Sequence, residues 1–152
     1  MENSNLNISF TGEYNNTIDQ KNRLSIPVKY RKALSPVNNS TFVLTRGFDK
    51  CLILYPLDEW KKVESQLGSL SSIKIKHRSF VRSIVRCAVH LKYDSQGRIQ
   101  IPENLRAYSA IKENDDVTVT GSGPVIEIWA TKTWKKIQSD SDDAFANINE
   151  VK

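Results

Sequence analysis

One nine-residue pattern occurs twice in this chain. Asp19-Gln20-Lys21-Asn22-Arg23-Leu24-Ser25-Ile26-Pro27 leads on to Arg31, and Asp94-Ser95-Gln96-Gly97-Arg98-Ile99-Gln100-Ile101-Pro102 leads on to Arg106. Asp, Arg, Ile, Pro and the second Arg coincide at an offset of 75, and Leu24 matches Ile99. Further on, Leu54-Tyr55 with Trp60 matches Ile128-Trp129 with Trp134 at an offset of 74. A lone Asp-x-x-x-Arg arises by chance in many proteins. Two copies with aromatic landmarks in step behind them record a duplication, which obliges the chain to build two similar halves.

Each half reads the same way. Residues 8–14 and 88–93 alternate apolar and polar side chains, as a half-buried strand does. Lys21-Asn22 and Gln96-Gly97 are turn chemistry, because Asn and Gly accept positive φ. Short return strands follow at 23–26 and 98–101. Pro27 and Pro102 end them and start helices at 28–34 and 103–110. Further strands are expected at 41–45, 51–55, 117–120 and 125–129, and helices at 57–67 and 131–137. The spacing of Ile73, His77, Phe80, Val81, Ile84 and Ala88 predicts a linking helix over 72–87 with one apolar stripe. Lys74, Arg78, Arg82 and Arg86 form a separate basic stripe, either a solvated face or a contact for DNA phosphate or a neighbouring subunit. The expected organisation is a first repeat at 8–67, the linking helix, a second repeat at 88–137 and a flexible acidic tail at 139–152.

Charge supports an anionic partner. The 152 residues carry a net +5. The tail from 139 holds four acids against Lys152, a net −3, which leaves +8 on residues 1–138. A basic body suits nucleic acid. No apolar run approaches the roughly 20 residues that span a bilayer. The first five residues, Met1-Glu2-Asn3-Ser4-Asn5, lack a secretory pattern, so a cytoplasmic place and no membrane partner are expected. Cys51 and Cys87 lack CxxC spacing and a nearby His pair, and no metal or other cofactor is expected.

The repeated turn offers a way to meet DNA. Lys21 and Arg23 sit on the first turn and Arg98 on the second. A guanidinium fork can donate to guanine O6 and N7 or clasp a phosphate. Asp19 and Asp94, four residues earlier, can pair with their arginines across a tight hairpin and aim them without touching DNA. One such pair alone would read as a structural salt bridge. Two related by a pseudo-twofold axis make a symmetric pair of arginines. Arg31 and Arg106, one helical turn past the prolines, are further DNA-binding candidates or plain surface charge. Arg46 is a weaker one.

The segments Gly12-Glu13-Tyr14, Asp19 to Pro27, Val43 to Gly47, Leu54 to Leu57 with Trp60, and Asp94 to Pro102 together resemble the MraZ family, relatives of the AbrB-like regulators. The likeness spans about residues 10–137. It implies an α+β, β-rich fold of two tandem swapped-hairpin halves, closed as one pseudo-dimeric β-barrel module with short peripheral helices. It implies homo-oligomeric rings on the nucleoid and transcriptional control at a cell division and cell-wall operon through short direct repeats in double-stranded DNA. The DNA contacts carry over to Lys21, Arg23 and Arg98. Two departures stand out. Asn22 replaces the family's usual Gly, and Gln96 replaces a basic residue at the position of Lys21, so the first turn should dominate.

Three other readings compete. An enzyme is disfavoured: His77 and His90 both read as structural, Asp115-Asp116 as a solvated turn, and no GxSxG, P-loop, HExxH or GxGxxG is present, so no small-molecule substrate is expected. An antitoxin of the same superfamily would resemble one half with a disordered toxin-binding tail. A general nucleoid-associated scaffold would use Tyr55, Trp60, Trp129 and Trp134 for subunit contacts, where core packing is the plain alternative.

Overall fold

The strands of the first half recur in the same order in the second. In a computed structural model that describes residues 9–70 and 73–148, the first half contains β1 (Glu13–Thr17), β2 (Arg23–Ser25), α1 (Val28–Ala33), β3 (Thr41–Arg46), β4 (Leu52–Pro56) and α2 (Leu57–Gly68). After α3 (Ile75–Val85) come β5 (Val89–Lys92), β6 (Arg98–Gln100), α4 (Glu103–Ser109), β7 (Asp116–Gly121), β8 (Ile126–Ala130) and α5 (Thr131–Ala146). The duplication is therefore visible element by element.

The two halves are joined by exchange. The main sheet has the order β1-β7-β8-β4-β3-β5, which reads the same backwards when each strand is replaced by its counterpart in the other half. At its centre β4 pairs with β8, with Ile53 opposite Glu127. The first strand of each half leaves its own half: β1 pairs with β7, and β5 pairs with β3. The short return strands β2 and β6 pair with each other as a separate two-stranded ribbon.

The expected barrel does not close. β1 and β5 remain as open edges of the main sheet, because the three-residue strands of the ribbon hydrogen-bond to one another and form no ladder with either edge. The expected hairpin is likewise only a turn. Past it the two arms part, β1 to β7 and β2 to β6.

Side-chain packing does what the ladders do not. Leu24 and Ile26 from one half of the ribbon, and Ile99 and Ile101 from the other, are buried in one cluster with Ile18, Phe42, Leu44, Leu54, Val119 and Ile128. Fully burying a side chain of this size contributes about 1.5–3 kcal/mol. The ribbon is thus bolted to the sheet by core contacts drawn equally from both halves. The aromatic landmarks keep the same symmetry. Tyr55 and Trp60 meet at 5.4 Å between ring centroids, and their counterparts Trp129 and Trp134 at 5.5 Å. Trp60 and Trp129 are buried, which favours core packing for both.

Four local expectations change. The first strand begins at Glu13, five residues later than the alternation suggested. Gly12 at φ +97° interrupts the extended run, and Phe10 makes an isolated bridge to Gly123. Ile8 lies outside the described residues. The polar stretch Asn15-Asn16-Thr17 is strand because β7 supplies its backbone partners, a tertiary effect that outweighs propensity. Pro27 and Pro102 stand one residue before the helices, as N-caps. Helix α5 runs on through Ala146, where a flexible tail was expected from 139; no Gly or Pro interrupts residues 131–146.

The linking helix is shorter and more exposed than its pattern implied. None of its residues is fully buried. Phe80, Ile75 and Val85 are exposed, while His77, Val81 and Ile84 are half-buried. Its end is tied to the sheet by β3: Thr45 Oγ1 donates to the Ile84 carbonyl at 2.9 Å and Arg46 Nε to the Ser83 carbonyl at 2.8 Å.

Candidate nucleic-acid interface

Both turns are built by their aspartate. Asp19 Oδ1 accepts the backbone N–H of Lys21 at 2.9 Å and of Arg23 at 2.8 Å, and Asp19 Oδ2 accepts Arg23 Nε–H at 2.9 Å. Asp94 does the same with Gln96 at 2.8 Å and Arg98 at 3.0 Å, and with Arg98 Nε at 3.0 Å. The backbone closes each loop. Asp19 N–H donates to the Arg23 carbonyl and Asn22 N–H to the Asp19 carbonyl, and Asp94, Arg98 and Gly97 repeat the pair of bonds. Asn22 at φ 63° and Gly97 at φ 79° make the left-handed step that this loop needs.

The hydrogen bond from the Arg23 backbone N–H holds the Asp19 carboxyl below its ordinary range, and the Arg98 N–H does so for Asp94. Both are therefore carboxylates at neutral pH. A depressed carboxyl stabilises the fold above its unfolded value, and that contribution fades only as pH falls through the lowered one.

The ribbon brings the two turns together. Its register sets Arg23 opposite Gln100, Leu24 opposite Ile99 and Ser25 opposite Arg98. Leu24 and Ile99 face the core. By the two-residue period of strands, Arg23, Ser25, Arg98 and Gln100 share the other face. The two arginines lie on a diagonal, with Cα atoms about 8 Å apart from strand geometry. Each spends Nε on its aspartate and is half-buried. Among the described residues no other protein partner engages their Nη groups. The result is two guanidinium forks, fixed at the neck and open at the tip, on a ribbon whose opposite side is buried.

Lys21 is exposed at the tip of the first turn, and exposed Gln96 holds the equivalent place in the second. Arg31 and Arg106 have a different setting. Arg31 Nε donates to the Ile26 carbonyl and Arg106 Nε to the Ile101 carbonyl, each at 3.0 Å. Ile26 N–H in turn donates to the Gly97 carbonyl and Ile101 N–H to the Asn22 carbonyl. Each helix arginine thus braces the ribbon end that carries the other half's turn, leaving only its Nη edge to meet a partner. Arg31 also lies over the Tyr93 ring at 5.8 Å.

This bracing explains the glycine in the second turn. A Cβ on residue 97 would stand 2.4 Å from Arg31 Cζ and 2.5 Å from Arg31 Nε. Gly97→Ala is expected to cost about 1–3 kcal/mol, from strained φ and a displaced arginine. At the counterpart, Asn22 Oδ1 is buried and has no partner among the described residues. Asn22→Gly should therefore be neutral or stabilising, within about 1 kcal/mol. Urea unfolding midpoints of the two variants check the contrast, and a loss in both would contradict it.

The remaining sequence candidates are placed elsewhere. Arg46 stacks over Tyr108 at 5.6 Å, with Lys50 Nζ 4.8 Å from the same ring. Lys74, Arg82 and Arg86 are exposed, and Arg78 is half-buried with Nη1 on the Ile73 carbonyl. His77 lies on α3 and His90 is exposed on β5. Among the described residues no group of three or more His, Cys, Asp or Glu could hold a metal ion, and no helix is long and apolar enough to cross a membrane. Ser25 and Gln100 escaped the sequence reading. The signal was the buried pair Leu24 and Ile26 (with Ile99 and Ile101), whose alternation leaves the intervening residues on the outer face.

These features define a class: an α+β, sheet-rich chain of two tandem repeats that share one sheet and each present an aspartate-braced arginine turn. The comparison with known families agrees with the internal repeat. The profile of the MraZ protein, whose description likens it to antitoxins, matches residues 9–83 and again 84–151. The chain belongs to the MraZ family, with two tandem family domains. That membership suggests a regulator-like, DNA-binding role.

Proposed function

We propose that this chain is a non-enzymatic, sequence-specific transcriptional regulator of double-stranded DNA. The observation that carries the reading is the ribbon: Arg23 and Arg98 share its outer face, each aimed by a carboxylate on Nε and open at Nη. A two-stranded ribbon fits the major groove, and an oriented fork suits guanine or phosphate. Lys21 adds charge at the first turn, and the Nη edges of Arg31 and Arg106 lie behind the ribbon ends. The chain acts in the cytoplasm on the nucleoid, at short direct repeats in the promoter of the cell division and cell-wall operon.

Assembly into a ring of copies fits the surface. The open edges β1 and β5 and the exposed Ile75, Phe80, Val85 and Phe145 offer material for subunit contacts.

A second reading follows from the antitoxin likeness in the family description. An antitoxin would engage its toxin through a disordered tail. Residues 139–146 are instead part of helix α5, which favours the regulator.

A hydroxyl-radical footprint on the DNA upstream of the protein's own gene tests the proposal. Protection of several evenly spaced short repeats is expected. Uniform protection along the fragment would indicate a general nucleoid coat and sink the regulator.

A further inference from the structure

The ribbon is twofold symmetric in its backbone but not in its side chains. Positions 25 and 100 are counterparts in the two copies, yet one holds Ser and the other Gln. Gln100 lies directly opposite Arg23, and Ser25 directly opposite Arg98. Cross-strand partners on one face stand about 4.5–5.5 Å apart at Cβ, so each makes a unit with its arginine. One end of the ribbon thus gathers Lys21, Arg23 and Gln100, and the other Gln96, Arg98 and Ser25.

Gln100 is exposed. Among the described residues neither its amide nor the Ser25 hydroxyl makes a hydrogen bond. Folding therefore makes no use of this amide. A glutamine amide offers one acceptor and two donors in a plane, which matches adenine N6 and N7 in the major groove. A serine hydroxyl can bond either sense of base edge and discriminates little. The two arginines, about 8 Å apart, bracket roughly two or three base steps at 3.4 Å each. Gln100 falls inside that window.

We infer that Gln100 is a specificity-determining residue that reads an adenine beside the base or phosphate held by Arg23, and that it gives this pseudo-symmetric module a direction on DNA. The inference rests on the ribbon being the DNA-reading surface. Its counterpart Ser25 leaves the Arg98 end tolerant, so the site read by one chain lacks twofold symmetry.

Selection from a randomised duplex library tests this, using the full chain, Gln100→Ala and Ser25→Gln. The parent should select a site with an adenine preference at one end only. Gln100→Ala should lose roughly 5- to 150-fold discrimination at that single position. It should keep the other positions and the parent's dependence of affinity on salt, because no charge is removed. Ser25→Gln should add a second adenine preference at the opposite end and move the selected site towards a palindrome. If its thermal melt shows it unfolded, Gln100→Ala decides alone. A Gln100→Ala protein that selects the parent's site with every preference intact overturns the inference. A parent that selects no sequence overturns the DNA reading beneath it as well.

Discussion

Arg23→Ala is expected to weaken specific DNA binding by about 1–3 kcal/mol, roughly 5- to 150-fold, while the protein stays folded. Among the described residues, the fork is the one group on the first turn that is both oriented and open, since Asp19 fixes Nε and leaves Nη. Arg23→Lys separates shape from charge. A lysine keeps the positive charge but has no planar fork, so it should restore the sequence-independent part of binding and little of the discrimination. Arg98→Ala should cost less than Arg23→Ala. Its turn carries Gln96 in place of Lys21, and its cross-strand neighbour is Ser25 in place of Gln100. Fluorescence anisotropy on specific and scrambled duplexes measures all three. Equal losses for the two alanine variants would contradict the asymmetry.

Ile99→Ala is expected to lower stability by about 2–5 kcal/mol, the usual range for truncating a fully buried Ile. The location matters more than the size. Ile99 sits opposite Leu24 at the middle of the ribbon, where the side chains of both halves enter the same core. The variant should therefore destabilise the first half as much as the second. The rings report on this: Trp60 belongs to the first half, and Trp129 and Trp134 to the second. Urea unfolding followed by tryptophan fluorescence and by far-UV circular dichroism should give one coincident transition, shifted to lower urea. Two separated transitions would mean that the halves fold independently, against the strand exchange.

Much of this was written locally in the chain. The aspartate-to-arginine pairing followed from a spacing of four across a turn, and the turn from residues that tolerate positive φ. Both appear in the structure at hydrogen-bond distance. Strand pairing was less legible, because β1 finds its partner about a hundred residues away in β7 and nothing in Glu13–Thr17 names that partner. Long-range pairing likewise turns the expected local hairpin into a cross-half ribbon, and the closed barrel that the family resemblance implies is an open sheet. Arg31 and Arg106 looked like surface charge or DNA contacts because their carbonyl partners, Ile26 and Ile101, become reachable only once the chain has turned past the proline. Gln100 was overlooked for a related reason. Its neighbour Arg23 lies in the other half, and only the register brings them together.

The ribbon's role in reading DNA is tested most directly by the salt dependence of duplex binding for the parent and for the double variant Arg23→Ala/Arg98→Ala. Each phosphate contact contributes about 0.9 to the slope of log affinity against log salt. A steep negative slope and a clear preference for the specific duplex are expected in the parent, and loss of that preference in the folded double variant. A double variant that melts like the parent and binds the specific duplex with undiminished preference would show that the ribbon is not the reading surface.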